Sequence, residues 1–280
     1  MKNIIYDYSF CIWYWTCRSS RVISCLKYFM NENQQFNNKG YIIKRNFINS
    51  KEFYNFCDFL NKEIKNKYDN TDLSQFGGYK IGNLYINIGN NANTLWDLLI
   101  KKNLAEFVEK VLGKPLNEFS LKLSGNLSLP NKGEQDFHID GGRKFLLSIA
   151  TEDIDEKNGP TEVVENCSNN IPYWKFILKK KIKKKIILKK GDLIIRKSSS
   201  WHRGTKNNTQ NPRFLIAFLL SENKPVKRIG FSKTKEIYFD DNFFNQTKLG
   251  NIKESIYVNF KIILKTYKFL RSIFKKSNHI

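Results

Sequence analysis

The spacing of apolar positions changes twice along this chain and divides it into three zones. Residues 1 to about 35 open on the aromatic run "MKNIIYDYSFCIWYWTC" and close in the polar run "NENQQFNNKG", and they read as an extension. Residues 36 to 225 carry the organised pattern. There "YIIKRNF" predicts a short strand. In "NSKEFYNFCDFLNKEIKNKY", Phe53, Phe56, Cys57 and Leu60 recur at helical spacing behind a cap at Asn49 or Ser50. "TLWDLLIKKNLAEFVEKVLG" predicts more helix, stopped by Gly113 and Pro115. The signal then becomes short and β-rich: "FSLKLSGNLSLP", "KFLLSIATED", "TEVVEN", "KKIILKKGDLIIRKS" and "RFLIAFLL", each bounded by Gly, Pro, Asn or Asp. Helices followed by closely spaced strands predict an α+β chain built on a β-sandwich or barrel.

The third zone, residues 226–280, ends in "SIYVNFKIILKTYKFLRSIFKK". Ile256, Phe260, Ile263, Tyr267, Leu270 and Phe274 recur at spacings of four and three, with Lys261, Lys265, Lys268 and Lys275 on another side. This is a basic amphipathic helix. Its stripe is expected to pack on the protein's own core, with peripheral contact to an anionic membrane as the alternative. No run reaches about 18 uninterrupted apolar residues, so no transmembrane helix is expected. The N-terminal run is interrupted by Asp7 and has no small-residue cleavage site. It reads as a packing or interfacial segment and not as a signal peptide, and Trp13 and Trp15 suit a membrane interface.

Composition narrows the partners. With 280 residues, the chain can bury one sizeable core with extensions, or two small domains. The net charge of +22 favours anionic partners, but Lys, Asn and Ile are over-used throughout, so solvated lysines under a general compositional bias are the preferred account of the charge over a dedicated polyanion-binding surface. The run "LKKKIKKKIILKKGD" reads as an exposed strand whose lysines discourage edge pairing. Five cysteines, Cys11, Cys17, Cys25, Cys57 and Cys167, are an odd number without a C-x-x-C pair. That excludes a disulfide framework and a zinc ribbon, and suits a reducing, cytoplasmic compartment where ferrous iron survives.

Histidine is scarce, and its placement carries the chemistry. Of three histidines, His279 is next to the C-terminus, His138 stands two positions before Asp140, and His202 follows in "SSSWHRGTKNNTQNPRF". In an extended strand, residues two apart point to the same side, so His138 and Asp140 converge. His202 from a later strand completes two histidines and one carboxylate, which leaves an open face on a metal and suits non-haem ferrous iron. Zinc uses the same ligand types, but one carboxylate with three open positions is less natural for it, and no H-E-x-x-H accompanies the site.

The stretch from about 38 to 220 resembles the phytanoyl-CoA dioxygenase family of Fe(II)- and 2-oxoglutarate-dependent oxygenases. "FHIDGG" matches the family's first metal motif, "IATEDIDEKNGPTEVVENCSN" resembles its "N-G-P-x-E-V-V-P-G-S-H" segment, and "KKGDLIIRKSSSWHRGTKNNTQNPRFLIAF" resembles its "W-H-R-G…R" segment. "GYIIKRNFINSKEFYNFCDFL" resembles its opening strand and helix. The resemblance implies a double-stranded β-helix, the cupin-like jelly-roll, over residues 118–222 with helices from 50–112 buttressing one sheet. It makes residues 36–225 the dioxygenase domain, with His138, Asp140 and His202 as the Fe(2+) ligands and catalytic centre. It makes Arg213 the partner of the distal carboxylate of 2-oxoglutarate, a task for which a planar, permanently charged guanidinium is suited. Ser148, on the strand after the first motif, is a candidate for a further bond to that co-substrate. Asn158-Gly159-Pro160 forms a turn.

The implied reaction consumes 2-oxoglutarate and O2, releases succinate and CO2, and hydroxylates an unactivated C–H bond. Asp140 argues against halogenation, since related halogenases lack the carboxylate. The family's histidine after "P-G-S" is absent from "ENCSN" at 165–169, which leaves the substrate side open: a small-molecule or lipid-like substrate, favoured as anionic by the charge. Two alternatives are a nucleic-acid-directed oxygenase and a non-catalytic binding protein on the same fold. The first typically carries a second arginine where this chain has Leu219, so no nucleic-acid partner is expected; the second is expected to show a broken triad.

Overall fold

A computed structural model of the chain describes residues 31–274, apart from 141–143, 166–170, 223–225, 232, 233, 235, 243, 245 and 246. The expectations for the aromatic N-terminus, for Cys11, Cys17, Cys25 and Cys167, and for the "NCSN" departure lie outside the described residues.

Helices lead, as the periodicity predicts. The polar run read as the end of an extension is instead a helix, α1 (Glu32–Lys39). Asn31 and Gln34 form a reciprocal capping box at its start, and Gly40 ends it at φ 84°. Strand β1 (Tyr41–Lys44) follows. In α2 (Lys51–Asp69) the Ser50 hydroxyl caps the Phe53 N–H, and Phe53, Cys57, Leu60 and Ile64 form one buried face. The next helical stretch, expected as one element, is two: α3 (Asn91–Ile100) and α4 (Leu104–Leu112). Asn103 stands between them at φ 59°, a left-handed conformation that asparagine tolerates and that interrupts the helix. Gly113 closes α4 as its composition predicts.

The β-rich part supplies β2 (Asn83–Asn87), which precedes α3, then β3 (Ser120–Leu123), β4 (Gly125–Ser128), β5 (Lys144–Ile149) and β6 (Thr161–Glu165). A short helix α5 (Tyr173–Leu178) follows, then β7 (Ile182–Lys185), β8 (Leu193–Lys197), β9 (His202–Gly204) and β10 (Arg213–Ser221). Strands β11 (Arg228–Ile229) and β12 (Tyr238–Asp240) and helices α6 (Lys248–Asn259) and α7 (Lys261–Phe274) complete the described chain.

The major sheet runs β1-β8-β5-β10-β4-β2-β12, with β3 pairing β10 and β11 pairing β3; the minor sheet runs β7-β6-β9. Alternation along the major sheet separates two layers. On β10, Phe214, Ile216, Phe218 and Leu220 join Phe53, Leu60, Leu95, Trp96 and Val108 of α2–α4 in the main core. Arg213, Leu215, Ala217 and Leu219 face the space between the sheets. The helices therefore buttress the major sheet and leave the minor sheet free to close the other wall. Lysine-rich β7 is exposed at the edge of that minor sheet, where charged side chains oppose pairing with another chain.

The C-terminal segment departs from expectation. It is two helices, broken at Phe260, and the face they bury is not the apolar stripe. Gly250, Glu254, Tyr257 and Lys268 are buried, whereas Ile256, Phe260, Ile263, Tyr267 and Leu270 are exposed. Specific polar bonds, described below, hold this orientation.

Candidate metal centre

His138 lies outside the named strands but extends the minor sheet by one bridge. Its N–H donates to the His202 carbonyl at 2.9 Å, and the His202 N–H donates back at 3.0 Å. Residues facing each other in this way project side chains to the same side, which sets the two imidazoles 4.3 Å apart, centroid to centroid. The Asp140 N–H donates to the Ser198 carbonyl at 3.0 Å, which holds the carboxylate over the same spot. His138 Nε2 is 3.6 Å from Asp140 Oδ1, and His202 Nε2 is 3.5 Å from Asp140 Oδ2. Among the described residues these three offer donor atoms that all lie within 4.8 Å of one another.

The donor set fits a metal ion. Ligands about 2.1 Å from a metal and at right angles to each other lie about 3 Å apart, so the observed separations need only slight closure. The tautomers also fit. His138 Nδ1 is 2.9 Å from the Asp136 carbonyl, and His202 Nδ1 is 2.9 Å from the Ser200 carbonyl. With Nδ1–H donating to those carbonyls, both Nε2 atoms carry free lone pairs. Burial lowers the pKa of His138 and, with help from Arg196, lowers that of His202 well below the usual value, which keeps both rings neutral. Burial pushes the Asp140 carboxyl up, but His202 once protonated in acid, the permanently charged Arg196, and His138 in the same way as His202 outweigh it and hold the group well below the usual carboxylate range.

Arg196 was not anticipated. It lies on β8, and its Nη2 donates to Asp140 Oδ2 at 3.1 Å. Its Nη1 is 2.9 Å from His202 Nδ1 and donates to the Lys197 carbonyl at 3.2 Å. A single ring nitrogen cannot donate to Ser200 and accept from Arg196 at once. In the form that frees Nε2, His202 Nδ1–H donates to the Ser200 carbonyl and one N–H of Arg196 Nη1 donates to the Lys197 carbonyl. The signal in the sequence was an arginine inside the otherwise apolar run "DLIIRK".

The three side chains open onto a cavity of about 1180 Å3 between the sheets, which Ser148 and Arg213 also line. Ser148 is buried on the inner face of β5, opposite Ala217 and Ile194. Arg213 is buried at the head of β10. Its Nε donates to the Asn158 carbonyl at 3.4 Å and its Nη2 to the Gly159 carbonyl, so the Asn-Gly-Pro turn anchors the arginine. Burial draws the Arg213 pKa down to about 10, against the opposing pull of Glu152, and the group stays charged at neutral pH. Asn83 of β2 and Asn126 of β4, joined by paired amide bonds of 3.0 and 2.7 Å, add a polar wall that β2, an unanticipated strand, brings in.

No protein-family model matches the sequence, and a search of curated proteins finds no match. Solved structures do match. The epimerase SnoN, in complex with Fe3+, alpha ketoglutarate and nogalamycin RO, is 15% identical, with 71% of this chain and 84% of that one covered at a TM-score of 0.52. The non-heme alpha ketoglutarate dependent carbocyclase SnoK is 11% identical over 66% and 80%, at 0.50. EctD from S. alaskensis, with 2-oxoglutarate and 5-hydroxyectoine, is 16% identical over 74% and 78%, also at 0.50. At identities this low the likeness is one of fold, and the fold is the double-stranded β-helix, the cupin-like jelly-roll, with helices laid on one sheet.

Proposed function

We propose that this chain is a non-haem Fe(II)- and 2-oxoglutarate-dependent dioxygenase of the phytanoyl-CoA dioxygenase type, which hydroxylates an unactivated C–H of an anionic small-molecule or lipid-like substrate and releases succinate and CO2. The observation that carries the reading is the convergence of two neutral histidines and one ionised carboxylate on one spot of a cavity that also holds a buried, charged arginine. Bound there, ferrous iron with 2-oxoglutarate and O2 supplies oxidative decarboxylation of the co-substrate and oxidation of a C–H bond.

The chain's own contribution is positional. His138, Asp140 and His202 would hold the metal from the minor-sheet side and leave its cavity side open. Arg213 offers donors to a carboxylate, and a buried guanidinium calls for an anionic partner. Leu215, Ala217 and Leu219, farther along the same strand, give the cavity an apolar lining. Beyond Arg196 and Lys268, which face Asp140 and Asp136, the described lining of the cavity carries Lys122, Lys144, Lys253 and Arg271 against one further carboxylate, Asp240, which supports an anionic substrate. The solved neighbours include an epimerase and a carbocyclase, so hydroxylation rests on the motif resemblance and on the retained carboxylate at Asp140.

The test is anaerobic reconstitution with Fe(II), titration with 2-oxoglutarate followed by its visible charge-transfer band, then admission of O2 and detection of succinate across a panel of anionic substrates. Succinate formation is expected in the wild type and is expected to vanish in His138→Ala and Asp140→Ala. Iron-dependent succinate formation that survives either substitution counts against the assignment.

A further inference from the structure

The two C-terminal helices are amphipathic, but they sit with the apolar side out. Helix α7 turns Leu264 and Lys268 toward the barrel and leaves Ile262, Ile263, Tyr267, Leu270 and Ile273 exposed. Ile262 is 80% and Ile263 61% exposed, whereas Lys268 is 6% exposed. Helix α6 turns Gly250, Glu254 and Tyr257 inward and leaves Leu249, Ile252 and Ile256 outside.

The polar contacts on the inner side fix this orientation. The Tyr257 hydroxyl accepts the Asp136 N–H at 2.6 Å, and Glu254 Oε1 accepts the N–H groups of Lys80 and Ile81 at 2.8 and 3.2 Å. The Ser272 hydroxyl accepts the Trp174 N–H at 3.0 Å, and Lys268 Nζ lies 3.8 Å from Asp136. Turning either helix to bury its stripe would break these bonds and leave the N–H groups of Lys80, Ile81, Asp136 and Trp174 without these partners, so the outward apolar face is built in.

An outward row of isoleucine and leucine of this length is disfavoured in water and marks a docking surface. Three observations identify what it fits. Lys248, Lys253 and Lys265 are exposed along the two helices, and their one acidic residue, Glu254, is turned inward, so among the described residues of these helices the outer face is apolar with a cationic fringe. Phe260 and Tyr267, each 53% exposed, supply aromatic rings of the kind that settle at a lipid–water boundary. Ile256 and Tyr267 also line the cavity, so the face borders the cavity mouth. No described helix is long and apolar enough to cross a membrane, which leaves an arrangement that lies on the surface.

We propose that the outer face of α6 and α7 docks on an anionic lipid bilayer and turns the mouth of the cavity toward the headgroups. The inference goes beyond the oxygenase reading and stands without it. Its consequence for that reading is a route by which an anionic amphiphile enters the cavity directly from the bilayer.

The test is co-sedimentation of the full-length protein, without added iron or 2-oxoglutarate, with vesicles of phosphatidylcholine alone or with a third of that lipid replaced by phosphatidylglycerol. Binding to the anionic vesicles is expected. Lys248→Gln and Lys265→Gln should each lower partitioning about fivefold. Combining Ile262→Asp with Ile263→Asp should abolish it while leaving the melting temperature in lipid-free buffer unchanged. Wild-type protein that fails to sediment with anionic vesicles overturns the proposal, as does binding that persists in the double aspartate variant. So does a lipid-free melting temperature lowered by that variant, which would show the face covered by the chain itself. A wild-type dimer that the variant dissociates would assign the face to a second copy and equally overturns it. Because no turnover is measured, failure here leaves the oxygenase reading untouched, and failure of succinate formation leaves this one untouched.

Discussion

Two buried guanidiniums on the inner face of one sheet have different tasks. Arg213 has its Nε and Nη2 tied to backbone carbonyls of the Asn158-Gly159 turn and faces the cavity, whereas Arg196 grips the carboxylate of Asp140. Substitution should separate them. Arg213→Ala is expected to weaken 2-oxoglutarate about 10–100-fold, the range of a lost charge-assisted hydrogen bond, with metal affinity unchanged. Arg196→Leu is expected to lower metal affinity by about 10–100-fold, because it releases the partner that orients a ligand. Calorimetric titration with Mn(II), and with 2-oxoglutarate on the Mn(II)-loaded protein, reads both. The triad His138, Asp140 and His202 was legible as residue types and spacing, and so was Arg213 beyond it, since all lie in recognisable motifs. Arg196 was not, because an arginine near the end of an apolar strand reads as a charge leaving the sheet. Only the pairing of β8 between β1 and β5 shows that it points into the cavity.

Helix α2 was legible at the scale of the element because its cap and its apolar spacing agree: Ser50 caps the Phe53 N–H and four residues at helical intervals are buried. Leu60 is fully buried against the major sheet, so Leu60→Ala is expected to cost about 2–5 kcal/mol, the transfer loss plus the cavity left behind. Denaturant unfolding monitored by far-UV circular dichroism measures it. Other elements were misread for stated physical reasons. Helix α1 has a polar sequence and is held by its capping box and by Phe36, its one buried side chain, so periodicity had little to report. The break between α3 and α4 turns on a single backbone conformation, Asn103 at φ 59°. The C-terminal helices were correctly periodic, but a period states that two faces differ and not which one turns inward. Here hydrogen bonds to Asp136, Lys80 and Trp174 decided against the apolar face.

Across the whole molecule, closing two sheets around His202, which is buried, and His138, which is partly exposed, is expected to couple folding to pH and, on the proposed reading, to metal. The pKa values of His138 and His202 are lowered in the folded chain by burial, while in the unfolded chain they titrate near 6.5. Protonation therefore favours the unfolded chain, and metal-free stability is expected to fall as the pH drops through about 6.5. Mn(II) at about 100 times its Kd is expected to add about 2.7 kcal/mol, or roughly 5–10 °C in melting temperature, at neutral pH. The increment should vanish as protons compete for the imidazoles. Differential scanning fluorimetry with and without Mn(II) across this range checks both the sign and the window. The sequence by itself determined the helix over α2, the passage from helices to the β-rich run that ends in β10, the chemistry available in its metal-type motifs, the turn at Asn158-Gly159 and the charged edge at β7. These follow from local properties: side-chain period, backbone preference and donor type. Tertiary structure alone decided that His138 faces His202 across one bridge, that Arg196 joins Asp140, that β2 brings Asn83 to the cavity, and that the C-terminal stripe faces outward. Each of these depends on which distant segments meet; for the residues on strands, a register shift of one would send the side chain to the opposite face, and for the helical stripe the hydrogen bonds to Asp136, Lys80 and Trp174 set which side turns inward.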